Sequence, residues 1–224
     1  VVSNPARPSF VFIFSVLFLF VMGLIPASEG KFEYGPFAEA YIGLESGDFE
    51  FENNLDEGDY DAFSLGARLG LGMGAFFLGG EMNYLIMGSD STLESSTRNN
   101  DTSPLLDGTM ESYGATLGLS LGKLRLWGSY LPYIKASEDV TAASTAKYEY
   151  QYLGQGFKAG LGLNVFKDFV VNLEYIERVF DQYRIEDGVP NTVNTPKTDR
   201  AIDLETSSFL LSIGWRFDIG EHFK

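Results

Sequence analysis

Residues 62–87 alternate with a period of two on both sides of one tight turn. Phe63, Leu65, Ala67, Leu69, Leu71 and Met73 fall on one parity, and Ala62, Ser64, Gly66, Arg68, Gly70 and Gly72 on the other. Gly72-Met73-Gly74 turns the chain. Phe76, Leu78, Met82, Tyr84 and Ile86 then share the apolar parity, with Glu81 and Asn83 on the polar one. Successive side chains of a strand point to opposite faces, so this hairpin is a wall with one greasy side and one small, polar side. Such a wall suits the boundary between a hydrocarbon phase and a narrow polar interior.

The rest of the chain repeats the pattern. A first strand is expected over 37–44, where Ala38, Ala40, Ile42 and Leu44 oppose Glu39, Tyr41 and Gly43. Residues 112–122 and 124–133 form a second hairpin about Gly122-Lys123, although Trp127 falls on the polar parity, where a bulge would accommodate it. Residues 151–165 and the segment from Phe169 through Arg178 form a third hairpin, and Phe209, Leu211, Ile213, Trp215 and Phe217 mark an eighth strand. Four long loops are expected at about 45–61, 88–110, 132–148 and 181–204, the third because Pro132 is poorly tolerated inside a paired strand.

Eight strands with connections alternating long and short place both chain ends and the short turns on one side and all long loops on the other. The expected fold is therefore all-β, an eight-stranded antiparallel up-and-down transmembrane barrel, whose closure removes edges that lipid cannot satisfy. Over residues 32–217 this pattern resembles the small eight-stranded bacterial outer-membrane proteins, the OmpA-barrel and OmpX-like group. The resemblance implies an outer-membrane location, outer-membrane lipid and lipopolysaccharide as neighbours, the barrel assembly machinery as a partner during biogenesis, and extracellular long loops.

The remaining sequence fits this frame. Residues 1–30 carry Arg7, an apolar run over 10–25 and then Pro26-Ala27-Ser28. They read as a cleaved secretory signal peptide, with a retained anchor as the alternative, and residues 31–224 form the barrel domain. A formal charge of −15 disfavours nucleic acid as a partner. The absence of cysteine excludes a disulfide framework.

The polar parity gathers Glu39, Arg68, Glu81, Arg125, Lys158, Glu174, Arg178 and Arg216. Arg68 and Glu81 fall close across one hairpin, Lys158 and Glu174 across another. Buried charges must be paired, so these residues read as a salt-bridged plug, or as a gated ion path through the same network. The outward parity sets Phe63, Tyr84, Tyr113 and Tyr130 toward the long loops and Phe76, Phe169, Trp215 and Phe217 toward the short turns. Two interfacial girdles have this form, although aromatics also favour strands in general.

Residues 45–61 hold eight carboxylates and no Lys or Arg. Their spacing fits no EF-hand, so they read as a solvated acidic loop rather than a metal site, with continuation of the hairpin above the membrane at its base, signalled by Phe49 and Phe51, as the alternative. Two G-x-G-x-x-A strings, at 70–75 and 154–159, lack the helix that a nucleotide fingerprint needs. The lipid-modifying barrels that resemble this architecture use a catalytic histidine, whereas the one histidine here is His222, beyond the last strand. The sequence thus calls for no catalytic residues, cofactor or metal. It describes a non-enzymatic structural or surface-interaction barrel that meets an extracellular partner through its loops. The alternatives are a small porin-like channel for ions or hydrophobic solutes and a soluble periplasmic lipocalin-like binder with the parities reversed.

Overall fold

The computed structural model describes residues 35–51, 57–88, 108–141, 147–165, 169–187 and 200–218. They form eight strands: β1 (Gly35–Phe51), β2 (Glu57–Met73), β3 (Phe76–Gly88), β4 (Gly108–Leu121), β5 (Leu124–Thr141), β6 (Lys147–Asn164), β7 (Phe169–Asp187) and β8 (Arg200–Asp218). Each pairs antiparallel with its sequence neighbour, and β1 pairs with β8, closing the barrel. Two tight turns rest on glycines in the left-handed region, Gly74 (φ 69°) and Gly122 (φ 64°), a conformation other residues adopt at a cost. Both G-x-G-x-x-A strings start within strands, at the end of β2 and inside β6. The proposed signal peptide, His222 and the segments joining the long ends of the strands lie outside the described residues.

The alternation holds as read over the lower part of the barrel, toward the short turns. Ile42, Leu65, Leu78, Leu117, Leu161, Leu173 and Ile213 face outward and are exposed, while Arg68, Glu81, Lys158 and Glu174 point inward and are buried. Toward the long connections the strands run further than the sequence reading has them. Pairing between β1 and β2 continues from Glu45↔Ala62 to Glu50↔Glu57, so most of the expected 45–61 loop is paired strand. Likewise β5 and β6 pair up to Thr141↔Lys147, which corrects the expected 132–148 loop. The expected 181–204 loop also gives up both its ends, since β7 runs to Asp187 and β8 starts at Arg200, whereas the 88–110 loop changes little between the end of β3 at Gly88 and the start of β4 at Gly108.

The extension has a physical cause: polarity inverts along the wall. In the upper part Phe49, Tyr60, Met87, Met110, Ile134, Tyr152, Phe180 and Leu204 face inward in one buried apolar cluster. The outward positions there are Ser46, Asp48, Glu50, Asp59, Asp61, Gln155 and Glu205. This is the pattern of an ordinary water-facing sheet. β8, with 19 residues, covers roughly 60 Å of chain at about 3.3 Å per residue. Tilted by about 40°, a strand of that length rises well past an apolar belt of about 25 Å.

Pro132 does not end β5. It falls in a register shift between Leu131 and Ile134, where the ladder skips it and its missing N–H costs no pairing. The shift also moves the inward parity from Leu131 to Ile134, which hides the strand's continuation from a strict period-two reading. No bulge lies at Trp127, contrary to the expectation. Trp127 faces Gly118 on β4 and Gly160 on β6, and these positions leave room for the indole. A Cβ at Gly160 would collide with the Trp127 ring.

The lumen as candidate functional site

Arg68 is the hub of the interior. From β2 its Nη1 donates to Glu39 Oε1 (2.9 Å), its Nη2 to Glu174 Oε1 (2.6 Å) and its Nε to Glu81 Oε2 (3.3 Å). The guanidinium lies between two rings, Tyr41 at 4.5 Å and Trp127 at 4.6 Å. Lys158 Nζ joins Glu81 Oε1 (2.9 Å) to Glu174 Oε2 (3.3 Å), and Ser129 Oγ donates to Glu81 Oε2 at 2.8 Å. Arg125 Nη1 reaches Glu39 Oε2 at 2.5 Å. Three carboxylates and three cations thus share one buried network, the arrangement that makes enclosed charge tolerable.

Six of the eight sequence-selected lumen charges meet in this network. Arg68 and Glu81 stand directly opposite, and Lys158 reaches Glu174 diagonally from a position facing Ile176. Arg178 lies apart, nearer the long connections, in a second buried pair with Glu45 (Nη1–Oε1, 2.7 Å). Tyr60 OH and Ser208 Oγ each donate to Glu45 Oε1 at 2.8 Å, and Arg178 Nη1 donates to both hydroxyls, at 2.9 and 3.2 Å. Arg216 is half-buried near the short-turn mouth, across the ladder from Glu39, with its guanidinium 5.0 Å from the Phe37 ring. Glu45 and Tyr60 are absent from the sequence reading because they fall within the expected acidic loop. The parity of Glu39, Tyr41 and Gly43 runs on to Glu45, and that of Ser64 and Ala62 runs back to Tyr60, so the signal is present.

Several glycines of the polar parity make room for bulk: they lie opposite rings. Tyr41 faces Gly66 and Gly214, Phe37 faces Gly70, Phe77 faces Gly118, and Phe49 faces Gly58. A Cβ at Gly66 would overlap the Tyr41 ring. Side chains therefore fill the interior at the levels of these rings, as an eight-stranded cross-section allows.

On the outer face the sequence-selected aromatics are all exposed. Phe169 stacks near Trp215 (4.9 Å) and Trp215 on Phe217 (5.5 Å) toward the short turns. Toward the long connections Tyr130 packs on Phe157 (5.0 Å) and Tyr113 on Tyr133 (5.8 Å), with Phe63 and Tyr84 at similar height on β2 and β3. Tyr130 OH donates to Gln155 Oε1 (2.8 Å) and Tyr175 OH to Glu177 Oε1 (2.9 Å), so these tyrosines span from apolar belt to polar rim. Tyr133 and Tyr175 extend the set beyond the sequence-selected residues.

A closed eight-stranded antiparallel barrel with an apolar outer belt and an ion-paired interior is the architecture of the small outer-membrane β-barrels. No family model matches the chain, and no curated protein matches it. Solved structures with a similar fold include Neisserial surface protein A, at 12% identity over 82% of this chain and 99% of that one, with a TM-score of 0.47. Ail, the attachment invasion locus protein of Yersinia pestis, solved with a heparin analogue, has 15% identity over 82% and 99%, with a TM-score of 0.47. The outer-membrane protease OmpT of Escherichia coli has 10% identity over 85% and 99%, with a TM-score of 0.32. These likenesses concern the fold alone.

Proposed function

We propose that the protein is a non-enzymatic barrel of the bacterial outer membrane, exported through the periplasm, whose interior is a structural core and whose work is done at its extracellular end. The observation that carries this reading is the interior itself: an ion-paired layer and, above it, an apolar layer, both buried. A filled cylinder transmits nothing, which leaves interaction to the surface. The apolar outer belt argues for lipid, because so large a greasy surface in water would drive association. The aromatic sets at its two ends are then interfacial girdles.

In this orientation the short turns face the periplasm, and the acidic upper strands rise among lipopolysaccharide head groups. The extracellular end would present Asp48, Glu50, Asp59, Asp61 and Glu205 to neighbouring molecules. Barrel assembly machinery would insert the chain. The test is a planar-bilayer recording on pure, heat-modifiable protein together with carbonate extraction of native membranes. Retention in the membrane fraction with no single-channel steps is expected. Reproducible steps would replace this reading with the channel, and carbonate solubility with the lipocalin-like binder.

A further inference from the structure

Arg125 is as deeply buried as Arg68 but is bonded differently. Each nitrogen of Arg68 holds its own carboxylate, whereas Arg125 uses Nη1 alone, on Glu39. Its Nε and Nη2 have no hydrogen-bond partner among the described residues. These two atoms lie on the same edge of the guanidinium, and their N–H groups point in parallel, the fork that receives an oxyanion through two bonds at once. Two buried, charged donors without an acceptor are among the most costly groups a fold can carry.

The surroundings fit an anion. Arg125 is the second residue of β5, so it sits at the short-turn mouth. Across the ladder it faces Ser120, whose position on the inward parity brings a hydroxyl. Arg216, near the end of β8, brings a second guanidinium to the same mouth. The rings of Phe37 and Phe77 meet edge to face at 5.7 Å, with the Arg125 guanidinium 5.3 Å from Phe77. Apolar walls around a cation strengthen its attraction for a counter-ion.

We propose that the short-turn mouth of the lumen is a binding site for a small soluble oxyanion of the phosphate or carboxylate type, gripped by the Nε/Nη2 edge of Arg125 with Ser120 and Arg216 beside it. The compartment it faces follows from the orientation proposed above; the site itself does not depend on it. The barrel wall separates the fork from lipid, so the ion arrives from the aqueous side.

The protein contains two tryptophans, so Trp215→Phe leaves Trp127 as sole reporter, with its ring 5.5 Å from the Arg125 guanidinium. The experiment titrates inorganic phosphate into this refolded full-length barrel in non-ionic detergent, at constant ionic strength, and follows Trp127 emission. A saturable change is expected, and Arg125→Lys, which keeps the charge but loses the fork, should bind about 10-fold more weakly. If Arg125→Lys fails to give the heat-modifiable band, Ser120→Ala serves instead, with a several-fold loss expected. Absence of a saturable response in the folded reporter, as an ordered water alone would give, overturns the proposal. So does an undiminished response in the folded variant, or a response to phosphatidylglycerol in the micelle without one to inorganic phosphate.

Discussion

The guanidinium of Arg68 lies 4.6 Å over the indole of Trp127, and each is held in place by residues on other strands. Trp127 fits because Gly118 and Gly160 flank it on β4 and β6. Arg68 is held because Glu39, Glu81 and Glu174 converge on it from three other strands. A cation sandwiched by rings and saturated by carboxylates ties five of the eight strands together in one cross-section.

Arg68→Ala removes the hub and leaves three carboxylates competing for Lys158 and Arg125. Breaking a buried ion network by deleting one partner costs about 3–5 kcal/mol. Urea unfolding followed by gel mobility should show a correspondingly lowered midpoint. An unchanged midpoint would mean that the network contributes nothing to stability.

Gly160→Ala drives a methyl into the Trp127 ring. Overpacking of this kind costs about 1–3 kcal/mol. Trp127→Phe, introduced alongside, should recover most of the loss, because the smaller ring frees the space. Lack of recovery would remove the glycine–ring account.

Tyr60→Phe deletes a hydroxyl that donates to Glu45 and accepts from Arg178. Loss of hydrogen bonds to charged groups is worth about 1.5–3 kcal/mol. Thermal unfolding should fall accordingly, whereas Tyr84→Phe on the outer face should leave it within about 0.5 kcal/mol.

Asp48 stands directly across from Asp59, with Ser207 on its other side. Partial burial, a hydrogen bond to Asp59 and the charge of that carboxylate together raise the Asp48 pKa above its ordinary 3.8. The folded strand ends therefore bind a proton that the open ones release. Between pH 3.8 and the raised value their pairing weakens as pH rises. Glu50, two residues further along β1 and across from Glu205, adds like charge to the same strand end. Amide exchange of the upper β1–β2 ladder should be faster at pH 7 than at pH 4 when corrected for intrinsic rates, and Asp59→Asn should flatten the difference.

Much of this was legible in the sequence, because lumen and belt obey one rule. Leu117 outward and Gly118 inward follow from parity alone, as does the pairing of Arg68 with Glu81. Where the surroundings of the wall change, the rule reverses. Phe49 and Tyr60 are inward for the same reason that Leu65 is outward: each avoids water. A search for one fixed polarity stops at Leu44 and Ala62 and takes paired strands for loops. The bulge at Pro132 adds a break in phase that only a pairing register exposes, and the fork of Arg125 has no sequence signature at all.

The reversal has a thermal corollary. Cohesion among Phe49, Met110, Ile134, Phe180 and Leu204 comes from expelling water, a force that fades on cooling. The ion-paired layer owes little to that force. Chilling should thus loosen the outer rim of the cylinder while its middle stays rigid, so that one continuous sheet melts from one end in the cold.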